Sequence, residues 1–197
     1  DIPNGVNQMY NLHHADFSYN KLKRISEEVF ERQKLESLDL KKNELKTIPK
    51  KLYLLEDLVK LDLSHNQIKK LPKGINLYPV LQELYLNNNN LEKITEDIAK
   101  LKRIRIVDIS HNQIVKLPET YTGWRRVEKV TISHNQIERL PLGLKNCKRI
   151  TYFDASHNQL SISPVAIVGM RHLNYLDLSH NKLIKVPSGI GNLKELT

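Results

Sequence analysis

The chain of 197 residues has one cysteine, Cys147, and therefore cannot form an intrachain disulfide. It also lacks long apolar runs, since its uncharged hydrophobic stretches extend for only a few residues and a transmembrane helix needs about 20. Hydrophobic residues make up 40% of the chain and charged residues 27%, a balance that excludes a disordered polymer. We therefore expect a folded domain with no membrane span, and the single cysteine fits a reducing compartment.

Motifs of catalysis and cofactor binding are also missing. The sequence has no glycine-rich phosphate loop, no Cys-x-x-Cys pair and no Ser-His-Asp order of the hydrolase type. We predict that the protein is not an enzyme, and that it has no catalytic residue, no cofactor and no resident metal.

What the sequence does contain is a repeat of 23 residues. The frame is Leu-x-x-Leu-x-Leu-x-x-Asn-x-Leu, commonly followed by an apolar residue and a proline, as in Leu71-Pro72. One unit consists of Leu58, Leu61, Leu63, Asn66 and Ile68. The asparagines of successive units are Asn20, Asn43, Asn66, Asn89, Asn112, Asn135, Asn158 and Asn181. A fixed period over so many matches indicates a solenoid, because one unit cannot bury its own leucines and stacking is needed.

This pattern resembles the leucine-rich repeat. The resemblance implies an α/β solenoid: a curved horseshoe with a parallel concave sheet and short helical or 3-10 turns on the convex side. Alternation within Leu-x-Leu supports the strand, and we expect eight parallel strands, centred on Leu38 to Leu40 and its equivalents, in a single right-handed solenoid. We expect residues 1–197 to form a single domain of eight full repeats, with partial repeats at both ends, as a piece of a longer protein.

The 23-residue unit ending in Leu-Pro is similar to the intracellular arrays of the Ras-suppressor, Ras-scaffold and polarity-scaffold group. That resemblance implies a cytoplasmic, non-enzymatic surface that holds other proteins. Two repeats depart from the pattern: the first has Ile25-Ser26 without proline and Arg32 at an apolar position, and the seventh has Ser163 before Pro164. We expect local irregularity at both turns.

Residues 23 apart form several columns, and each column is a candidate for a structural or a functional role. The asparagines are expected to satisfy backbone groups in the turn, where ladder bonds are absent. A column of aspartates along the sheet lacks the oxygen cage that calcium requires and is interpreted as solvated. Histidines precede four consecutive asparagines, and we expect their rings to diverge and not to hold zinc, with pH sensing as an alternative. Cys147 and Trp124 occupy the apolar position of Leu55, which predicts burial.

The charge distribution suggests where a partner binds. Exposed frame positions hold more acidic than basic residues, so the net charge of +9 must lie on the edges and back. A basic strip occupies the two positions before each strand in the C-terminal half only, and it lies beside exposed apolar and aromatic residues, the usual components of a binding hot spot. The predicted partner-binding residues are Lys102, Arg103, Arg105, Ile106, Arg125, Arg126, Lys129, Lys148, Arg149, Tyr152, Arg171 and Tyr175.

The sequence therefore predicts a protein-protein interaction module that binds an acidic protein surface. One alternative is an extracellular or cell-surface recognition array. Another is binding of nucleic acid or another anionic ligand through the basic strips, which is disfavoured because the strips contain no stacking aromatics. A further alternative is that the basic strip is an ordinary solvated surface with no binding role. The sequence leaves the oligomeric state open.

Overall fold

The computed structural model describes residues 2, 6, 8–9, 11–26 and 34–197. Its sheet has eight strands of three residues, each pairing in parallel with the strand of the next repeat in chain order. The strands are β1 His14–Asp16, β2 Ser37–Asp39, β3 Lys60–Asp62, β4 Glu83–Tyr85, β5 Ile106–Asp108, β6 Lys129–Thr131, β7 Tyr152–Asp154 and β8 Tyr175–Asp177. The predicted repeat solenoid is confirmed, with each strand centred one residue before the middle of the expected range.

The register explains why residues 23 apart form columns. Leu38 lies opposite Leu61, and every later pair follows the same offset. The middle residue of each strand points into the core, and most flanking residues are partly exposed. Each residue on the open face therefore has its neighbours one period earlier and later, at the strand spacing of about 4.8 Å.

The far side of the solenoid is built from 3-10 helices, and the described residues contain no α-helix. These helices are Lys50–Leu54, Ile75–Leu77, Glu96–Lys100, Leu142–Asn146, Val165–Gly169 and Ser188–Asn192. Proline before four of them pre-sets an extended entry or a turn, and the i to i+3 bonds suit such short segments. The stretch between β5 and β6 lacks a helix. There Tyr121 and Trp124 fill the core with an edge-on ring contact of 4.8 Å.

The apolar side chains of all repeats form one continuous core. Cys147 is fully buried in it and Trp124 is only 3% exposed, so the predicted burial of both is confirmed. Burial raises the pKa of the Cys147 thiol to about 12. This thiol is consequently protonated at neutral pH and shielded from solvent.

The seventh repeat is irregular, as its sequence predicts. Pro164 has φ −81° and ψ 65°, and the Val165 N–H donates to the Ser163 carbonyl at 2.9 Å, which is an inverse γ-turn. By contrast Pro49 is extended, with φ −68° and ψ 140°. In the first repeat, Arg32 lies outside the described residues.

Asparagine side chains join successive repeats. The Asn112 amide nitrogen lies 3.0, 3.1 and 3.0 Å from the carbonyl oxygens of Leu86, Ile109 and Ser110, and its oxygen accepts the Leu91 N–H at 2.9 Å. Each asparagine from Asn43 to Asn181 makes the same kind of contacts across one repeat boundary. The ladder satisfies backbone groups that leave the sheet and holds the repeats in register.

Candidate protein-binding face

Side chains from four repeats meet in a depression where the chain enters strands β4 to β7. The depression has a volume of about 320 Å³ and is open to solvent. We call it the arginine depression, and it is lined by Val80, Gln82, Arg103, Arg105, Arg126, Glu128 and Arg149. Four of the predicted partner-binding residues are thus brought together in one place.

The basic pairs before the strands divide between two locations. The second member of each pair lines the depression: Arg103, Arg126 and Arg149. The first member of each pair is exposed but does not line it: Lys102, Arg125, Lys148 and, one repeat later, Arg171. The predicted continuous strip is therefore two rows, and only one of them forms a concave surface.

Within the depression, one arginine is paired and three are not. Arg105 makes a bidentate contact with the Glu128 carboxylate, with a closest distance of 2.9 Å. This hydrogen bond raises the pKa of the Arg105 guanidinium. Among the described residues, none forms an ion pair with Arg103, Arg126 or Arg149. The depression thus keeps an excess of three positive charges.

The sheet face beside the depression carries stacked aromatic rings. Tyr152 and Tyr175 lie parallel, with centroids 4.4 Å apart and an angle of 3° between planes. Lys129 lies on the preceding strand, and its ammonium group makes a cation-π contact at 4.6 Å from the centroid of the Tyr152 ring. We call these three residues the tyrosine stack. Ile106, directly before Lys129 in the register, is partly buried. Tyr175 remains 42% exposed and offers an apolar surface to a partner.

The aspartate column forms hydrogen bonds with the serine two residues later in the chain. The Asp62 carboxylate accepts the Ser64 N–H at 2.8 Å and the Ser64 hydroxyl at 2.6 Å. Asp108 accepts the same two bonds from Ser110, and Asp154 accepts them from Ser156. Burial raises the pKa of Asp39, with a further contribution from the neighbouring Asp62 and Asp16 carboxylates. Hydrogen bonds from Ser179 lower the pKa of Asp177. The column terminates the strands and adds negative charge to the open face.

The histidines stack, and the expectation that their rings diverge is wrong. The imidazole stack consists of His111, His134, His157 and His180, with successive centroids 4.1, 4.1 and 4.0 Å apart. Each stands where the backbone adopts a positive φ, from 50° to 52°. This fixed conformation, repeated at the strand spacing, directs neighbouring rings face to face. Burial, with the neighbouring imidazoles, lowers the pKa of His134 and His157.

Two features of the site could have been found by pairing residues 23 apart. Glu128 follows Arg105 by one period, and Tyr175 follows Tyr152 in the same way. Residues at this spacing are cross-strand neighbours, which is where ion pairs and ring stacks form. By contrast, no sequence signal marks Val80 and Gln82 as the rim of a depression, because that depends on how side chains fold over the edge.

Within the described part of the chain, no helix has the length and apolar character needed to cross a membrane. In the same part, no group of three or more His, Cys, Asp or Glu side chains is arranged to hold a metal ion.

Comparisons with solved structures agree with this architecture. A leucine-rich repeat protein of Leptospira interrogans shares 29% identity, covering 99% of this chain and 56% of that one, with a TM-score of 0.76. An internalin of Listeria monocytogenes shares 21% identity over 100% of this chain and 56% of its own, with a TM-score of 0.83. TLR13, solved as a complex with ssRNA13, shares 25% identity over 98% of this chain and 29% of its own, with a TM-score of 0.84.

The chain therefore spans little more than half the length of the first two of these proteins, and less of the third. A search of curated proteins found no match.

The family comparison covers most of the chain. The leucine rich repeat family matches residues 10–68, 79–137 and 125–183. Arrays of this family generally act in protein-protein recognition, and the fold is typically a non-enzymatic interaction scaffold. Together with the 23-residue register of the sheet, these matches show that the chain belongs to the leucine-rich repeat family.

Proposed function

We propose that this array is a non-enzymatic interaction module that binds an acidic protein partner at its C-terminal half. The observation that carries the proposal is the arginine depression, whose three unpaired guanidinium groups lie next to exposed aromatic surface. Arginine and tyrosine are enriched at binding hot spots because each combines a large contact area with directed hydrogen bonds.

The two parts of the face would contribute differently to binding. The three uncompensated charges stand on consecutive repeats about 4.8 Å apart, so each lies within one Debye length of about 8 Å of the next, and an acidic partner meets them as a connected field. Such a field speeds encounter. The tyrosine stack supplies the contact area that must be lost again on dissociation, which slows release.

We further propose a cytoplasmic setting, in keeping with the resemblance to the Ras-suppressor, Ras-scaffold and polarity-scaffold arrays. The support is the 23-residue unit with its Leu-Pro turn and a buried, unpaired Cys147. An extracellular or cell-surface recognition array is the alternative. Expressing the full-length protein with a compartment-restricted label distinguishes the two, because secretion of the label would contradict the cytoplasmic setting.

Nucleic acid is a second candidate ligand, favoured by the likeness to TLR13, which was solved with ssRNA13. Two features oppose it. The tyrosine rings stack on each other and leave one outer face open, and the sheet beside them carries the aspartate column. The sugar-phosphate backbone of a nucleic acid crossing this face would lie against these carboxylates, and their repulsion would offset much of the attraction of the arginines.

Affinity capture with the intact array tests the proposed function. We expect the wild-type array to retain a protein with an acidic surface that salt releases. A variant carrying Arg103→Glu, Arg126→Glu and Arg149→Glu should not retain it. The matched control carries Lys102→Glu, Arg125→Glu and Lys148→Glu, which change the net charge equally outside the depression. Equal retention by the wild type and the depression variant would contradict the proposal.

A further inference from the structure

The arginine depression has the boundaries of a discrete site. Its row ends on one side at Val80, which carries no charge. On the other side the position after Arg149 is His172, whose ring nitrogen already contacts the Glu195 carboxylate at 3.0 Å. The unpaired charge of this row is therefore confined to three consecutive repeats and lies in one concavity.

The chemistry inside the depression is also selective. The one available carboxylate, Glu128, is taken up by the bidentate contact with Arg105. That ion pair leaves three planar guanidinium forks of adjacent repeats around a single space. Planar forks match anions that present several oxygens at fixed angles, which distinguishes them from the point charges of lysine.

We propose that the arginine depression binds a phosphoryl group carried by a phosphorylated side chain of the protein partner. A phosphomonoester carries close to two negative charges at neutral pH and has three terminal oxygens, so one group can engage two or three arginines together. A single carboxylate carries one charge and two oxygens and leaves two of the three positive charges uncompensated. The inference rests on the proposed function, since it specifies what the acidic partner presents.

Titration with small anions tests the site itself. The side-chain Nε–H signals of the folded protein are followed by nuclear magnetic resonance during addition of phenyl phosphate, with benzoate at equal ionic strength as the comparison. We expect saturable shifts at Arg103, Arg126 and Arg149 with phenyl phosphate and weaker binding of benzoate. Equal affinity for the two anions, or equal shifts at Arg125 and Arg171, would overturn the inference.

A pair of neighbouring variants supplies the control. Arg126→Gln should weaken phenyl phosphate binding about tenfold, the effect of losing one charge-assisted contact. Arg125→Gln removes the same charge from the adjacent residue outside the depression and should change binding less than about twofold, as expected for a screened surface charge. If both substitutions weaken binding equally, the anion responds to net charge alone and the site does not exist.

Phosphatase treatment of the captured partner separates this inference from the proposed function. Loss of binding after treatment supports both. Retained binding that still depends on Tyr175 contradicts the phosphoryl site and leaves the interaction module standing. Phosphate binding in the depression without capture of any protein would support the site and contradict the proposed partner.

Discussion

At the scale of single residues, the asparagine side chains that join successive repeats can be tested directly by substitution. Asn112→Ala removes an amide that serves three carbonyl groups and one backbone N–H, all in buried surroundings. Leaving these groups without partners should lower the free energy of unfolding by about 1–3 kcal/mol, measured by urea titration.

Asn20 is the matched control, because it is exposed and, among the described residues, its side chain donates hydrogen bonds only to the carbonyls of Phe17 and Ser18. Asn20→Ala should change the stability by less than about 0.5 kcal/mol. Equal effects of the two substitutions would mean that water replaces the lost amide at Asn112.

A second prediction for a single residue concerns Gly123, in the repeat without a 3-10 helix. A Cβ at this position would overlap the Lys100 carbonyl group, which belongs to the backbone of the preceding repeat. Gly123→Ala should therefore lower the free energy of unfolding by about 1–3 kcal/mol through overpacking.

The comparison is Gly191→Ala, since a Cβ at residue 191 meets nothing within 4 Å. This substitution should stay within about 0.5 kcal/mol of the wild type in the same urea titration. A neutral Gly123→Ala would show that neighbouring repeats can move apart at this turn.

At the scale of elements, the turn after each strand explains both the asparagines and the histidines. The residue before each asparagine is left-handed in all eight repeats, from Tyr19 to His180. For residues other than glycine, asparagine and histidine are among the types that adopt this conformation most readily. The recurring Ser-His-Asn is therefore explained first by backbone geometry, and the imidazole stack is a consequence of it.

The stack should make stability depend on pH. Burial and the neighbouring imidazoles lower the pKa of His134 and His157 below the reference value of 6.5, although Asp154 and Asp177 act in the opposite direction. Below that pH the unfolded chain binds more protons than the folded one, so stability falls as the pH falls through this range. Urea midpoints at pH 7.5 and about 5.5 measure the change.

Substitution of one ring tests whether the stack is the cause. His134→Asn should reduce the loss of stability on acidification, and the turn should tolerate it because Asn88 holds the same place in the fourth repeat. His14→Asn, which alters an exposed histidine outside the stack, is the matched control for the change of side chain. An unchanged pH dependence in His134→Asn would assign the acid sensitivity to other groups.

How far the sequence predicts this protein also depends on scale. Periodicity alone predicts the eight strands and their register, because every buried leucine repeats at 23 residues and one slip would expose all of them. It predicts the burial of Cys147 for the same reason. It does not predict that the side chain of Arg126 lines the depression while that of Arg125 does not, since both residues are exposed and charged. Side-chain direction at an edge is set by neighbouring repeats, which column counting ignores.

At the scale of the whole molecule, the repeats add up to a surface with two kinds of charge. The open face carries the aspartate column, and the edge where the chain enters strands β5 to β7 carries the unpaired arginines. A partner must therefore be acidic where it meets the edge and tolerate carboxylates where it meets the sheet. This polarity favours a folded protein surface with local negative charge over a uniformly charged polymer.

Binding kinetics provide the test of this two-part surface, with the captured partner and the array measured by surface plasmon resonance at low and high salt. Changing Arg103, Arg126 and Arg149 together to glutamate should mainly slow association, because the steering field is reversed. Tyr175→Ala should mainly speed dissociation, because it removes contact area while the field remains. The same three charge reversals at Lys102, Arg125 and Lys148 measure the part of the effect that depends on net charge alone.

A nucleic-acid ligand would give a different result. The logarithm of its affinity would fall steeply and linearly with the logarithm of the salt concentration, and the slope would decrease by about one unit for each lost phosphate contact, with little effect of Tyr175→Ala. If neither set of substitutions alters the kinetics of a true partner, binding takes place elsewhere, and the aspartate column becomes the next surface to test.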